Sequence, residues 1–404
     1  MTAPIPPASP TLYGTLSLTT LSQIAATSSV LALTTIPTVV ADALHVSPHV
    51  LGYQVSLIYA AGIVFSMVSS SMVKRWGAGR VGQLALLGAG LGFIGMASGT
   101  IVGMALASAL IGIGYALNNP SSSHILSRLA PRARRNLIFS IKQAGVPLGG
   151  VLAALGIPPL AHAIGWQATL ALFGLFPLAL AAIYHFRRAS WDTDRQPQVT
   201  LGRGIIAGQK LVWRTANLRA LAILGFLYSA VQLSISTFTV TMLIEDFGWN
   251  AIKAASLAAA LQAFGAVGRV IWGLAADRVN SGFLVLSFIG LVTGGASLGF
   301  ALTGSAPLIG LAAIFASGLT GLGWNGVLLA ETADASPGPG TLTGEVLTYT
   351  FVGVMVGPAS FALAYEIIGN YAGTFVLFSA LSFIGCALAF ARHMGRRRAK
   401  PLLA

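Results

Sequence analysis

Two adjacent polar residues, Lys142 and Gln143, stand in an otherwise apolar stretch of the chain. Lys142 follows Arg135 by seven residues, which is roughly 10 Å along a helix. An ammonium group beside an amide can hold a carboxylate, the lysine as a point charge and the amide through hydrogen bonds. The alternative is that the lysine bends back until its charge reaches the headgroups of a membrane. The pair is therefore a candidate anion-binding site.

Four further ionisable residues interrupt apolar stretches. Arg269 could assist in binding an anion. His124 could carry a proton, because its pKa normally lies near neutrality, or it could be a hydrogen-bonded residue of the interior. Glu331 and Glu345 could carry protons, or they could pair with lysine or arginine side chains.

Uncharged polar side chains recur near the middle of predicted helices. They could line a binding cavity, or they could form interhelical hydrogen bonds that each contribute about 1 kcal/mol. Trp324 beside Asn325 is the most specific pair, because it offers a flat apolar face next to an amide. The candidates for substrate binding, besides Lys142 and Gln143, are Gln23, Tyr115, Asn118, Asn119, Tyr228, Gln232, Trp324, Asn325 and Tyr349.

The sequence does not indicate an enzyme. Gly-x-Gly-x-x-Gly occurs at 90–95 and again at 321–326, but neither copy follows a strand, as a dinucleotide site requires. Both copies lie in charge-free stretches, where small residues let helices approach closely. The six histidines lack metal-ligand spacing, and the single cysteine, Cys386, excludes a disulfide framework. We expect no catalytic residue, metal or cofactor.

The composition predicts a membrane protein. Of 404 residues, 55% are hydrophobic and only 8% are charged, whereas globular chains carry roughly 25% charged residues. Residues 81–127 and 279–330 contain no charged side chain. Each of these runs is about twice the ~20 residues that cross a bilayer, so each predicts two helices joined by a tight turn. The fold class is therefore an all-α polytopic membrane protein.

Turn residues and charges divide the chain into twelve predicted transmembrane helices in two sets of six. The first set occupies 13–186 and the second 219–392, and a basic linker at 187–218 joins them, with room for a short amphipathic helix. Residues 1–12 are predicted to be a disordered tail and 393–404 a basic tail. The twelve helices are expected at 13–41, 50–73, 81–99, 101–127, 137–158, 166–186, 219–243, 251–274, 282–303, 307–332, 344–367 and 371–392.

The basic residues predict the orientation of these helices. If the N-terminus is cytoplasmic, 20 of the 23 lysines and arginines lie in cytoplasmic segments and only Lys253 lies outside. This positive-inside pattern predicts cytoplasmic termini and a bacterial-type inner membrane. Topology and attraction to anionic membrane lipid explain the net charge of +13. No nucleic-acid partner is expected.

The two halves of the chain contain similar motifs in the same order. Gly112-Ile113-Gly114-Tyr115 has its counterpart in Gly321-Leu322-Gly323-Trp324, and Gly145-Val146-Pro147 in Gly357-Pro358. The turn at 70–77 corresponds to the turn at 273–280, about 203 residues later. Three such correspondences predict a duplicated six-helix unit and two pseudo-symmetric bundles.

With its 6+6 helices, basic central linker and a Gly-x-x-x-Asp-Arg motif that ends at Asp277 and Arg278, the chain resembles the major facilitator superfamily over roughly residues 13–392. The resemblance implies two bundles that rock about a substrate site near the bilayer midplane, with the motif linking neighbouring helices. In the family, an arginine at the place of Arg269 commonly supports this motif. The first copy reads Lys74-Arg75, with lysine at the acidic position, so its gate must differ from the family pattern.

The predicted function is secondary active transport by alternating access. The positive entry of the fifth helix, help from Arg269 and the absence of acidic residues at mid-depth favour a small organic anion, taken up with a proton by a monomer. One alternative is proton-coupled efflux of an amphipathic compound, with Trp324, Tyr115 and Tyr349 as an aromatic wall. Drug exporters of the resembled family usually carry an arginine where this chain has Ser108. A more distant alternative is a non-transporting membrane sensor.

Overall fold

The computed structural model describes residues 11–46, 52–202, 204–338 and 342–399. Within these ranges the chain forms helices and turns and no β-strand. Most of the predicted N-terminal tail at 1–12 and the end of the predicted basic tail at 393–404 lie outside the described residues.

The first half of the chain forms seven α-helices, most of them long enough to cross a bilayer. They are α1 Leu12–Leu31, α2 Pro37–Ala43, α3 Gly52–Trp76, α4 Ala78–Met96, α5 Ile101–Leu129, α6 Arg135–Ile164 and α7 Trp166–Trp191.

A short helix in the linker and a second series of long helices follow. They are α8 Ile205–Arg214, α9 Ala216–Glu245, α10 Ala251–Val279, α11 Gly282–Gly299, α12 Pro307–Gly321, α13 Asn325–Ala335, α14 Thr343–Ile368 and α15 Tyr371–Ala399. Helix α8 confirms the short helix predicted within the linker.

The described residues contain eleven segments that are long and apolar enough to cross a membrane. Helix α1 is not among them, because nine of its twenty residues are serine, threonine or glutamine. Its length of about 30 Å still matches the thickness of the hydrocarbon core. The predicted all-α polytopic membrane fold is confirmed.

Two predicted helices are interrupted. The helix expected at 13–41 ends at Leu31, and a 3₁₀ turn and α2 follow because Pro37 starts a new helix. The helix expected at 307–332 breaks between Gly321 and Asn325. At this break Gly323 N donates to the Thr320 carbonyl (2.9 Å), so the Leu319 carbonyl accepts a hydrogen bond from Trp272 Nε1 (2.8 Å) instead.

The chain folds into two compact units, and each unit is built from more than one segment. The first unit contains the described residues up to Ala130 together with Gly145–Lys210 and Ser336–Thr348. The second contains Pro131–Ala144, Leu211–Ala335 and the described residues from Tyr349 onward. The first ten residues of α6 therefore belong to the second unit, and the first six residues of α14 belong to the first.

Glycines allow close helix packing inside the first unit. A side chain at Gly90 would overlap Leu178 of α7, and one at Gly95 would lie 3.0 Å from Ala107 of α5. Gly114 of α5 likewise meets the Ala85 carbonyl of α4. The packing interpretation of the Gly-x-Gly-x-x-Gly segment at 90–95 is confirmed.

The start of the linker is fastened to the first unit by two aspartates. Asp192 accepts hydrogen bonds from the backbone N–H groups of Gly79 (2.6 Å) and Arg80 (3.1 Å), at the beginning of α4. Asp194 accepts from Arg128 Nη1 (2.8 Å). A carboxylate at a helix N-terminus satisfies backbone N–H groups and interacts favourably with the helix dipole.

Asp192 predicts a pH dependence of stability. Burial raises the pKa of its carboxyl from 3.8 to about 6, and the hydrogen bonds from Gly79 and Arg80 and the nearby Arg188 and Arg195 oppose this rise. The folded state then holds a proton that the unfolded chain has already released, so the contribution of Asp192 to stability falls between about pH 4 and pH 6. Thermal unfolding of the purified protein and of Asp192→Asn should show a wild-type advantage that shrinks across this range. An advantage that grows with pH would show that the two backbone hydrogen bonds outweigh burial.

Candidate functional site

The first turns of α6 place Lys142 and Gln143 inside the second unit, next to Arg269 of α10. The exposed fractions of the three residues are 1%, 2% and 2%. Lys142 Nζ donates a hydrogen bond to Gln143 Oε1 (3.4 Å), and Arg269 Nη1 donates to the Gln143 carbonyl oxygen (2.8 Å). The lysine therefore does not reach out to headgroups but stays within the interior.

A proline makes the Gln143 carbonyl available to Arg269. In a continuous helix this oxygen would accept from the N–H of the residue four positions later, which here is Pro147, a residue inside α6. Proline has no N–H to donate, so the guanidinium of Arg269 supplies the donor. The arginine is thereby held beside Lys142, and the two repel each other electrostatically.

This arrangement gathers two basic side chains and one amide in a buried place. Burying charge is costly unless hydrogen bonds and opposite charge compensate it. Gln143 contributes acceptor oxygens, while its side-chain N–H₂ group and the two basic groups are donors. The cluster, which we call the Lys142 cluster (Lys142, Gln143 and Arg269), has the donor-rich chemistry that recognises a carboxylate.

Close helix packing fixes the position of the Lys142 cluster. Ser140 of α6 is fully buried and lies against Gly273 of α10 and Gly326 of α13, so that a side chain at either glycine would overlap it. Gly326 is the last glycine of the second Gly-x-Gly-x-x-Gly segment. Its role is to let α13 approach α6, which is again the packing interpretation.

Asp277 holds the beginning of α6. Its carboxylate accepts three hydrogen bonds, from Asn136 N, Asn136 Nδ2 and Leu137 N, each 2.9 Å long. Arg135 pairs with Asp334 of α13 at the same end. Arg278 is exposed. The acidic residue of the loop motif thus caps the helix that carries Lys142 two turns further on.

The other copy of the motif has the opposite polarity. Ser70 Oγ donates to Glu345 Oε2 (2.5 Å) at the start of α14, and the exposed Lys74 interacts electrostatically with the same carboxylate. Ser66 and Thr348 share a hydrogen bond (3.0 Å). Here the acid lies in the first turn of the helix, where the dipole favours it, and the base lies at the motif position. The first copy of the motif thus contacts α14 without the expected aspartate.

Arg75, the second residue of that copy, binds the linker. Its Nη1 donates to the Val199 carbonyl (2.7 Å), and the carbonyl of Lys74 accepts from Gln196 N (2.7 Å).

Glu331 and His124, the other candidates for proton coupling, have structural partners. Glu331 accepts from Gly282 N (2.8 Å) at the start of α11 and from Arg396 Nη1 (2.6 Å). His124 Nε2 lies 2.7 Å from Asp194 Oδ2, at the anchored start of the linker. Of the two predicted alternatives for Glu331, the structure contains pairing with a basic residue, which is Arg396.

The predicted polar lining residues of the first unit form a network between α1 and α5. Asn118 Nδ2 donates to Gln23 Oε1 (2.9 Å), and Asn118 Oδ1 accepts from Ser22 Oγ (2.5 Å). Asn119 is buried one residue further along α5. Tyr115 packs edge-to-face on Tyr59 of α3, with ring centroids 6.3 Å apart.

The corresponding residues of the second unit lie around the break between α12 and α13. Asn325 Nδ2 donates to Gln232 Oε1 of α9 (2.9 Å). Tyr228 donates to the Leu286 carbonyl (2.8 Å) and packs edge-to-face on Trp324. Trp324 is 1% exposed, and its indole N–H meets no hydrogen-bond acceptor among the described residues.

Tyr349 lies apart from this group of residues. Its hydroxyl accepts a hydrogen bond from Trp213 Nε1 of the linker helix (2.5 Å).

Several residues of the site escaped the sequence interpretation. Ser70 and Ser140 gave no signal, because small hydroxyl side chains are common in membrane helices. The acceptor of Arg269 did leave a signal, since a proline four residues after Gln143 frees that carbonyl.

A model of a known protein family matches most of this chain. The family model of the Major Facilitator Superfamily matches residues 18–358. Two uncharacterized MFS-type transporters, from two strains of Mycobacterium tuberculosis, are 30% identical over 167 residues. That match covers 40% of this chain and 36% of the relatives' own length.

Solved structures share the fold. The human organic anion transporter TETRAN is similar with a TM-score of 0.76 at 15% identity, covering 94% of this chain and all of that one. The fucose:proton symporter of Escherichia coli gives 0.72 at 15% identity, with 93% and 98% covered. A proton:xylose symporter gives 0.68 at 13% identity, with 94% and 95% covered.

The two copies of the motif predict unequal effects of mutation. Asp277→Asn removes the charge that caps α6 and should lower stability by about 1–2 kcal/mol and impair transport strongly. Lys74→Gln removes an exposed charge and should cost no more than about 1 kcal/mol. Thermal unfolding and flux in proteoliposomes measure both. Equal losses of flux would show that the first copy matters as much as the second.

Proposed function

This chain belongs to the major facilitator superfamily and is a multi-pass membrane transporter rather than an enzyme, and on that premise we propose that it takes up a small organic anion together with a proton. The Lys142 cluster is the single observation that carries the proposal. Its two buried basic groups and the Gln143 amide suit a carboxylate, which can accept from several donors at once.

Binding of an anion at this cluster would also reduce an electrostatic cost. Lys142 and Arg269 repel each other in the buried interior of the second unit. A carboxylate brings the opposite charge and acceptor oxygens to both groups. A cationic substrate would add to the repulsion instead. The description of one structural neighbour as an organic anion transporter agrees with this substrate class.

Glu345 is the acid that we propose to carry the coupled proton. Its bond to Ser70 can persist in both protonation states, because a hydroxyl can donate to a carboxylate or accept from a carboxylic acid. Glu331 accepts a backbone N–H and a guanidinium, both of which require it to remain an acceptor. His124 is held by the linker aspartate. The two sugar-transporting neighbours are described as proton symporters.

Alternating access would use the two helices that are divided between the units. Helix α6 carries Lys142 and Gln143 in its first ten residues, and α14 carries Glu345 in its first turn. A change at either helix therefore reaches both units through the covalent chain. We place the basic segments, and with them both termini, on the cytoplasmic side of a bacterial-type inner membrane, and we propose that the protein works as a monomer.

Lys142→Gln should lower the initial rate of anion uptake at least about tenfold, because a hydrogen bond to a charged group contributes roughly 1.5–3 kcal/mol. The measurement is flux into proteoliposomes, with a panel of labelled organic acids and an imposed pH gradient. The matched control is Lys253→Gln, which removes an exposed lysine that lies over the Trp249 ring (4.3 Å) and should leave uptake unchanged.

Two results would contradict the anion proposal. One is full uptake by Lys142→Gln. The other is the absence of flux for every acid while an amphipathic dye is pumped against its gradient, which would establish efflux and direct attention to Trp324. A substrate-induced signal without any flux would favour a membrane sensor.

The variant Glu345→Gln tests whether Glu345 carries the coupled proton. The amide imitates the protonated acid, so accumulation driven by the pH gradient should disappear while exchange of labelled for unlabelled anion continues. Glu366→Gln, a change of an exposed glutamate, is the matched control. Normal accumulation by Glu345→Gln would exclude this residue as the proton carrier and leave the anion site standing.

A further inference from the structure

A cavity of about 1280 Å³ opens in the first unit, and its lining includes no residue of the Lys142 cluster. It lies where α3 ends, α4 begins and α7 passes into the linker, and Trp76 forms part of its wall. Its lining includes Arg75, Arg80, Arg188 and Arg195. We call it the arginine cavity, after these four residues.

The arginine cavity carries an excess of positive charge. Asp192 is the one acidic residue among its lining residues, and both oxygens of that carboxylate already accept backbone N–H groups of α4. Four guanidinium groups and one carboxylate leave a formal charge of +3, before His185 at the same wall is counted. The cavity is therefore suited to an anion.

Two of the four guanidinium groups are held by hydrogen bonds within the protein, and the other two are not. Arg75 is anchored on the Val199 carbonyl (2.7 Å) and Arg80 on Gln83 Oε1 (2.9 Å). Within the described part of the chain, the side chains of Arg188 and Arg195 form no hydrogen bond or close ion pair, and their charges act on Asp192 only at longer range. These two arginines present their donors to whatever enters the cavity, and guanidinium geometry matches a phosphate in two hydrogen bonds.

Helix α7, whose end lines the cavity, also has exposed apolar side chains. The side chains of Leu172, Leu175, Ile183 and Phe186 are 47%, 56%, 42% and 81% exposed. Their spacing of three and eight residues puts them along one face of the helix, and α7 is long and apolar enough to cross the membrane. This face is suited to hydrocarbon chains, while the cavity at its end is suited to a charged head.

We infer that the arginine cavity binds the phosphate headgroup of an anionic phospholipid, whose acyl chains lie along the exposed face of α7. Charge complementarity favours an anionic head, and the exposed apolar side chains of α7 favour a ligand with hydrocarbon chains over a free phosphate compound. Basic cavities at the ends of transmembrane helices are known to hold anionic headgroups, and a tryptophan such as Trp76 is typical of the membrane interface.

The test is a lipid titration of the delipidated, detergent-purified full chain, followed by native mass spectrometry. The probes are phosphatidylglycerol, phosphatidylcholine and inorganic phosphate. Phosphatidylglycerol should bind more tightly than phosphatidylcholine, and the double variant Arg188→Gln/Arg195→Gln should lose affinity about 30-fold. Arg188→Lys/Arg195→Lys keeps the charge but not the paired guanidinium donors, so its affinity should lie between those of the wild type and the glutamine pair.

The matched control is Arg132→Gln/Arg134→Gln, which removes the same charge from two exposed arginines outside the cavity and should leave the affinity within about twofold of wild type. Equal losses in the two glutamine pairs would overturn the proposal, because attraction to the whole basic surface would then explain binding. Displacement of phosphatidylglycerol by millimolar inorganic phosphate would overturn the assignment to a lipid and identify a free phosphate compound as the ligand. Equal binding of phosphatidylcholine would exclude recognition of the anionic head.

Discussion

A carbonyl oxygen inside a membrane-spanning helix needs a donor from the protein, because hydrocarbon supplies none. Pro147 deprives the Gln143 carbonyl of its helical donor, and Arg269 replaces it from α10. The arginine is thereby placed beside Lys142, in the interior of the second unit. A requirement of the backbone thus brings together the two buried basic side chains that we assign to substrate binding. The anion site that we propose follows from this replacement of one hydrogen-bond donor by another.

The remaining features of the second unit support that arrangement. Asp277 fixes the first turn of α6 by three hydrogen bonds, and the glycines at 273 and 326 bring two neighbouring helices against Ser140. In the first unit the motif also contacts the start of a helix, but the charges are reversed. The acid there is Glu345 on α14, and the base at the motif position is Lys74. In the second unit the acid of the motif caps a helix directly, whereas in the first unit the acid lies on the helix and the motif supplies the base.

Acidic and basic side chains serve different purposes in different parts of this transporter. Asp192, Asp277 and Glu331 each accept backbone N–H groups at the start of a helix, so they are occupied by the fold. Lys142, Arg188 and Arg195 are the basic groups to which we assign ligands. This division explains how a chain with only ten acidic residues can both hold its helix ends and keep positive sites available for anions.

The sequence by itself determined the class of protein, because the hydropathy and charge of each segment decide directly whether it enters a bilayer. It also determined that Lys142 and Gln143 are neighbours and that Arg269 lies in a helix. Only the tertiary structure decided that Arg269 meets Gln143, that Ser70 meets Glu345 and that four arginines surround one cavity. The partners in these first two contacts are 126 and 275 residues apart in the chain. The physical reason is that pairing of distant side chains depends on how helices pack, and packing is set by small residues whose sequence signal does not name their neighbours.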